Sequence, residues 1–191
     1  MNKILFACKF ASVKHKNQRR KDADKTPYIN HPLEVAEFLS SAGITNADTL
    51  IASILHDTIE DTNTTKNELT DLFGDDVCRI VSECTDDKSL SKIQRKKLQI
   101  EHAKHASNEA KLVKLGDKWS NISSILKTPP VHWTPAEKIG YVKWCYKVCE
   151  NCFGVNENVD KQLKELFLKF GVTNVTDNDL EEYYSEINFT E

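Results

Sequence analysis

Apolar residues recur along this chain at intervals of three and four, and strict alternation of apolar with polar positions is almost absent. That periodicity predicts an all-α domain in which any strand is short. Leu5, Phe6, Cys8 and Phe10 open a first helix, which runs into the basic stretch Lys14 to Lys21 and then a polar loop over 22–26. A second helix is predicted to start at His31-Pro32, because proline suits a first helical turn, and to carry Val35, Ala36 and Leu39 inward until Gly43 stops it. The third, about Asn46 to Glu60, has Leu50, Ile51, Ile54 and Leu55 as its core face and an unusually polar end, His56-Asp57-Thr58-Ile59-Glu60-Asp61.

Further along, Thr65 with Glu68 reads as a capping box for a helix ending at Phe73-Gly74, and Val77, Ile80, Val81 and Cys84 give the next helix its buried face. After Thr85-Asp86-Asp87-Lys88 comes a very basic helix with Lys92, Arg95, Lys96 and Lys97, expected to be mostly solvated. Leu112, Leu115, Trp119, Ile122 and Leu126 mark a core helix on which Asp117 and Asn121, four apart, share a face. Thr134-Pro135-Ala136-Glu137 combines a capping box with a first-turn proline and opens a helix through Tyr141, Trp144, Tyr146 and Val148. A last helix over about Val159 to Phe170 stops at Gly171. The predicted organisation is one helical domain over 1–171 and an acidic C-terminal appendage over 172–191.

Composition narrows the function classes. A chain of 191 residues buries roughly 70% of its unfolded surface on folding, so it needs no disulfide staple. Its six cysteines sit in apolar helical patterns and read as reduced thiols, with Cys145, Cys149 and Cys152 as small core residues rather than a metal cluster. A charged fraction of 29% nets to only -3, which gives no global field for nucleic acid or membrane, so any anion site must be local. Without an apolar run of membrane-spanning length or a secretory leader, the expected setting is soluble and cytoplasmic. Monomer and homodimer both remain open.

Candidate chemistry concentrates on three predicted helices. His31 stands at one helix entrance, His56-Asp57 at another helix end, and Asp117 on an otherwise apolar helix. Two imidazoles and two carboxylates make a mixed nitrogen and hard-oxygen set, which suits manganese or iron better than the thiolate sets of structural zinc. Four such ligands leave coordination positions open on an octahedral ion, as metal-assisted phosphate hydrolysis requires. Taken singly, a His-Asp pair arises by chance and a lone histidine at a helix start is more often a cap; their combination carries the signal. Glu60 and Asp61 follow one turn after Asp57 if the helix continues. Acids there oppose the helix dipole, which favours a role in accepting a proton from the attacking water.

The ordered motifs Arg19-Arg20-Lys21-Asp22, Tyr28-Ile29-Asn30-His31-Pro32, Leu55-His56-Asp57-Thr58-Ile59-Glu60-Asp61-Thr62, Thr85-Asp86-Asp87-Lys88 and Lys114-Leu115-Gly116-Asp117-Lys118-Trp119-Ser120-Asn121 resemble the RelA/SpoT hydrolase family in its small metazoan SpoT-like form. The likeness covers roughly residues 1 to 171. It implies an all-α HD-domain bundle around a metal site, with Mn2+ held by His31, His56, Asp57 and Asp117. It further implies removal of the 3′-pyrophosphate from (p)ppGpp, with Glu60 and Asp61 activating or positioning water. Arg20 matches an arginine that packs on the guanine ring, Lys21, Asn121 and Tyr141 match residues lining the nucleotide pocket, and Lys92 is a looser match expected to meet phosphates. Gly116 and Trp119 stand where the family commonly has Ala and Leu.

Because no residues remain for a synthetase or regulatory domain, degradation alone is expected, acting on a small-molecule nucleotide. The same site could instead remove the 2′-phosphate of NADPH, an activity associated with metazoan relatives. A 5′-deoxynucleotidase and a nucleotide-binding sensor without turnover are weaker alternatives.

Overall fold

The computed structural model describes residues 2–188, and they are helical: α1 (Lys3–Lys14), α2 (Asn30–Ser41), α3 (Ala47–Leu55), α4 (Thr58–Asp61), α5 (Lys66–Phe73), α6 (Asp75–Cys84), α7 (Lys92–His105), α8 (Asn108–Lys127), α9 (Pro135–Glu150), α10 (Glu157–Leu168) and α11 (Asp177–Asn188). No strand forms among the described residues. An isolated antiparallel bridge between Arg19 and Pro27 pinches the loop after α1. Side chains satisfy many of the orphan amides at helix starts. Asn2 accepts from the amides of Ile4 and Leu5, and Ser91 and Thr134 close full capping boxes on α7 and α9. At Thr65 the box is half made: its hydroxyl accepts from the Glu68 amide, while the Glu68 carboxylate pairs with Lys14 at 2.9 Å instead.

α8 is the organising element, packing against α2, α3, α6, α9 and α10. It contributes Ala110 and Val113 to one core, shared with α1, α3, α5 and α6. Leu115, Ile122 and Ile125 enter a second core with α2, α9, α10 and α11. Gly116 lets α2 come close, since a Cβ there would lie 2.9 Å from Val35 Cγ1 and 3.2 Å from Leu39 Cγ. Next to it, the rings of Phe38 and Trp119 stack at 4.1 Å. The departures from the family pattern at 116 and 119 thus sit together at the α2–α8 contact.

Three elements differ from the sequence expectation. The helix predicted through Glu60 stops at Leu55, because side chains take over the terminal carbonyls: Thr58 Oγ1 donates to Leu55 O at 2.6 Å, and His56 Nδ1 lies 2.7 Å from Ser53 O. Glu60 and Asp61 therefore ride on the separate single turn α4 and do not extend the face of α3. Helix α7 is less solvated than its lysines suggest, since Ile93 and Ile100 pack on the core and the Trp144 indole donates to Lys96 O at 3.0 Å. The segment set apart as an acidic appendage folds as α11, with Val172, Val175, Leu180, Tyr183, Tyr184 and Ile187 buried in the second core. Its acids Glu181 and Glu182 face outward. Residues 189–191 of that segment lie outside the described residues.

Candidate active site

The end of α3, the start of α2 and the middle of α8 meet at one point. His31 Nε2 lies 3.1 Å from Asp117 Oδ1 and 3.8 Å from Asp57 Oδ2. His56 Nε2 lies 3.0 Å from Asp57 Oδ2 and 3.8 Å from Asp117 Oδ1. Ligand atoms of His31, His56 and Asp117 all fall within 4.8 Å of one another, close enough to hold a metal ion. Both imidazoles are held from behind: His31 Nδ1 is 2.9 Å from Ser120 Oγ, whose hydroxyl donates to Glu34, and His56 Nδ1 is 2.7 Å from Ser53 O. Such outer contacts fix ring orientation and leave Nε2 facing the carboxylates.

The electrostatics suit a cation. Burial alone would raise both carboxyls, yet the histidines and Lys118 hold Asp57 and Asp117 below the usual carboxylate range. Burial lowers His31. His56 resists the same burial and is raised well above 6.5, because it faces Asp57 and Asp117. Without a metal, then, a proton on His56 serves as counter-charge to two half-buried carboxylates. His56 Nε2 is buried and, although 3.0 Å from Asp57 Oδ2, is not aligned for a hydrogen bond to any described residue; a buried nitrogen turned toward two carboxylates is what a divalent ion would satisfy. The donor set is two imidazoles and carboxylate oxygen with no thiolate, so a metal fits these residues.

α4 places Glu60 and Asp61 beside this cluster. Glu60 Oε2 accepts from the Asp86 amide at 2.9 Å, and burial pushes its carboxyl up to about 6. Asp61 accepts from Gln18 Nε2 at 2.9 Å and from Lys88 Nζ at 2.7 Å. Lys88 also reaches Glu60 Oε1 at 3.5 Å. The Tyr28 hydroxyl donates to Asp57 Oδ2, which ties the loop after α1 to the cluster.

Two adjoining cavities open from these residues. A cavity of about 250 Å³ is lined by His56, Asp57, Glu60, Asp61, Lys92, Asp117 and Asn121. A larger one of about 700 Å³ is lined by Arg20, Lys21, Tyr28, His31, Asp61, Asn121 and Tyr141. Arg20 Nη2 donates to Asn121 Oδ1 at 2.9 Å, and Asn121 Nδ2 donates to Asp117 Oδ1 at 2.6 Å. All eleven residues singled out in the sequence therefore border this connected space. Tyr28, Ser120, Glu34, Gln18 and Lys88 were not assigned there. Tyr28, Lys88 and Ser120 lie inside the motifs that carry the family resemblance, whereas Glu34 and Gln18 carry no sequence signal.

An all-helical bundle with paired His and Asp side chains converging between its helices defines an HD-domain protein. Residues 7–139 match the HD domain family, and the chain belongs to it. Within that family it groups with the guanosine-3′,5′-bis(diphosphate) 3′-pyrophosphohydrolases called MESH1. The Xenopus tropicalis protein of that name is 49% identical over 170 residues, covering 88% of this chain and 95% of its own. The Homo sapiens protein is 46% identical over 171 residues, covering 89% and 96%. A solved structure described as a metazoan ortholog of SpoT that hydrolyses ppGpp superposes with a TM-score of 0.86 at 43% identity, covering 90% of this chain and 97% of that one.

Proposed function

We propose that this chain is a manganese-dependent hydrolase that removes the 3′-pyrophosphate from (p)ppGpp. The observation that carries the reading is the meeting of His31, His56, Asp57 and Asp117 where two adjoining cavities open, one lined by Arg20 and Lys21 and both by Asn121 and Tyr141. Near-full-length relatives named for this reaction support it. His31, His56, Asp57 and Asp117 would hold the ion, which supplies Lewis-acid stabilisation of charge building on the phosphate.

The chain's own residues do the rest. Glu60, raised to about 6 by burial, is ionised at neutral pH yet basic enough to take a proton from the attacking water. Asp61, held by Gln18 and Lys88, orients that water from the other side of the turn. Arg20, fixed by Asn121, presents its guanidinium plane to the base, while Lys21 and Lys92 meet phosphate. Tyr28 locks the Asp57 carboxylate in place by donating to it.

The test incubates the purified chain with Mn2+ and either ppGpp or NADPH, with and without a chelator, and compares kinetic efficiencies. Pyrophosphate from ppGpp, lost on chelation, is the expected result. Faster phosphate release from NADPH would replace it with a 2′-phosphatase, and no product from either would leave a nucleotide sensor.

A further inference from the structure

A third cavity, of about 540 Å³, lies against α11 and is walled by Lys21, Lys25, Lys92, Lys96, Tyr141 and Tyr183. We propose that it is a distal phosphate subsite, taking the 5′-diphosphate of a nucleotide whose 3′-diphosphate lies at the metal cluster, with α11 as part of its wall. This rests on the hydrolase reading above.

Continuity is the first argument. Lys21 borders both this cavity and the larger cavity beside Arg20, Lys92 borders both this cavity and the one beside the metal cluster, and Tyr141 borders all three. A bound nucleoside reaching the metal cluster at one end can therefore send its other end here along these shared walls.

Charge is the second. None of the four lysines has an ion-pair or side-chain hydrogen-bond partner among the described residues; Lys21 and Lys25 are exposed, whereas Lys92 and Lys96 are half-buried like Lys14 and Lys143, each of which does have a carboxylate partner. The acid among the lining residues, Glu137, is already engaged by the Thr134 amide at 2.8 Å. Four unpaired ammonium groups around one cavity match a diphosphate, with its several negative charges and its full set of acceptor oxygens.

The third argument is the construction of the wall. Lys96 Nζ lies 3.5 Å from the Trp144 ring centre, 4.8 Å from Tyr141 and 5.1 Å from Tyr183. Three aromatic faces thus hold a cation in place without neutralising it by a counter-ion. Tyr183 is 3% exposed and is fixed against Gly140; its hydroxyl has no hydrogen-bond partner among the described residues and is available as a donor. Burial draws Lys96 down to about 7, so an anion alongside would restore its full charge.

The experiment compares nucleosides that carry a 3′-diphosphate and either a 5′-diphosphate or a 5′-hydroxyl, in the full chain and in Lys96→Met and Lys25→Gln. Melting curves first establish that each variant is folded. The parent should prefer the 5′-diphosphate substrate, and each variant should lose about tenfold of that preference, mainly through KM, as expected for one charge-assisted contact removed. An unchanged preference in both folded variants overturns the subsite. If neither substrate is cut, the hydrolase reading has failed, and binding of guanosine 5′-diphosphate against guanosine, measured by calorimetry with chelator present, decides separately. A Lys96-dependent advantage of the diphosphate supports the subsite there, and equal affinities in parent and Lys96→Met reject it.

Discussion

His31 Nδ1 lies 2.9 Å from Ser120 Oγ, and the Ser120 hydroxyl donates onward to Glu34. Because both residues are buried, this contact fixes which imidazole nitrogen faces the carboxylates. Ser120→Ala should lower Mn2+ affinity by about 10- to 100-fold, the usual effect of removing a partner behind a metal-ligating histidine. Calorimetric titration of the chelator-stripped protein measures it, and an unchanged affinity would show that packing alone orients the ring.

Glu60 gives a prediction in which stability and activity move oppositely. Its side chain is 17% exposed and burial raises its carboxyl from 4.5 to about 6, so the fold favours the protonated form. The resulting penalty is absent below about pH 4.5, grows as pH rises toward 6, and is complete above it. In metal-free protein, Glu60→Gln should therefore gain about 2 kcal/mol at neutral pH, with the gain vanishing below about pH 4.5. The same substitution should abolish turnover. In the parent enzyme, activity should rise with pH through an acid limb no higher than about 6, since a nearby divalent cation can only lower it. Denaturant unfolding at several pH values and a pH–rate profile check the two halves.

Asp117 separates holding a metal from using it. Asp117→Ala removes a carboxylate facing both His31 and His56 and should lose metal and activity together. The double variant Glu60→Gln, Asp61→Asn should keep the metal and lose turnover. Metal content after gel filtration, read beside the rate, distinguishes them, and retained activity in the double variant would remove the proposed roles of both acids.

Much of this was legible in the chain because the informative residues are spaced by local rules. Capping at Thr134, the stripe from Leu115 to Ile122, and the shared face of Asp117 and Asn121 all follow from local helical rules. The stop at Leu55 was not legible, since it depends on Thr58 and His56 turning back onto carbonyls, a choice that isolated propensities leave open. The setting of Lys96 was hidden for another reason: in sequence it is one lysine of a solvated-looking run, and only the fold brings Trp144, Tyr141 and Tyr183 around it. For α11 the acids dominated the reading, although Leu180, Tyr183, Tyr184 and Ile187 have the spacing of a buried helical stripe.

Gly140 provides the sharpest test of whether α11 belongs to the core. A Cβ at this position would lie 2.5 Å from Tyr183 Cδ2, 3.0 Å from its Cγ and 3.1 Å from its Cβ, so it strikes the base of the side chain and not a flexible far end. Two effects oppose each other in Gly140→Ala. Helix propensity in α9 favours alanine by up to about 1 kcal/mol, whereas overpacking costs about 1 to 3 kcal/mol. Overpacking should win, lowering Tm by several degrees and exposing 172–188 to limited proteolysis before the rest of the chain. A pair with Tyr183→Ala separates the causes: with the ring gone the clash is gone, so adding Gly140→Ala to Tyr183→Ala should restore the propensity gain. If Gly140→Ala instead stabilises the parent chain, α11 yields freely and does not form part of the folded core in solution.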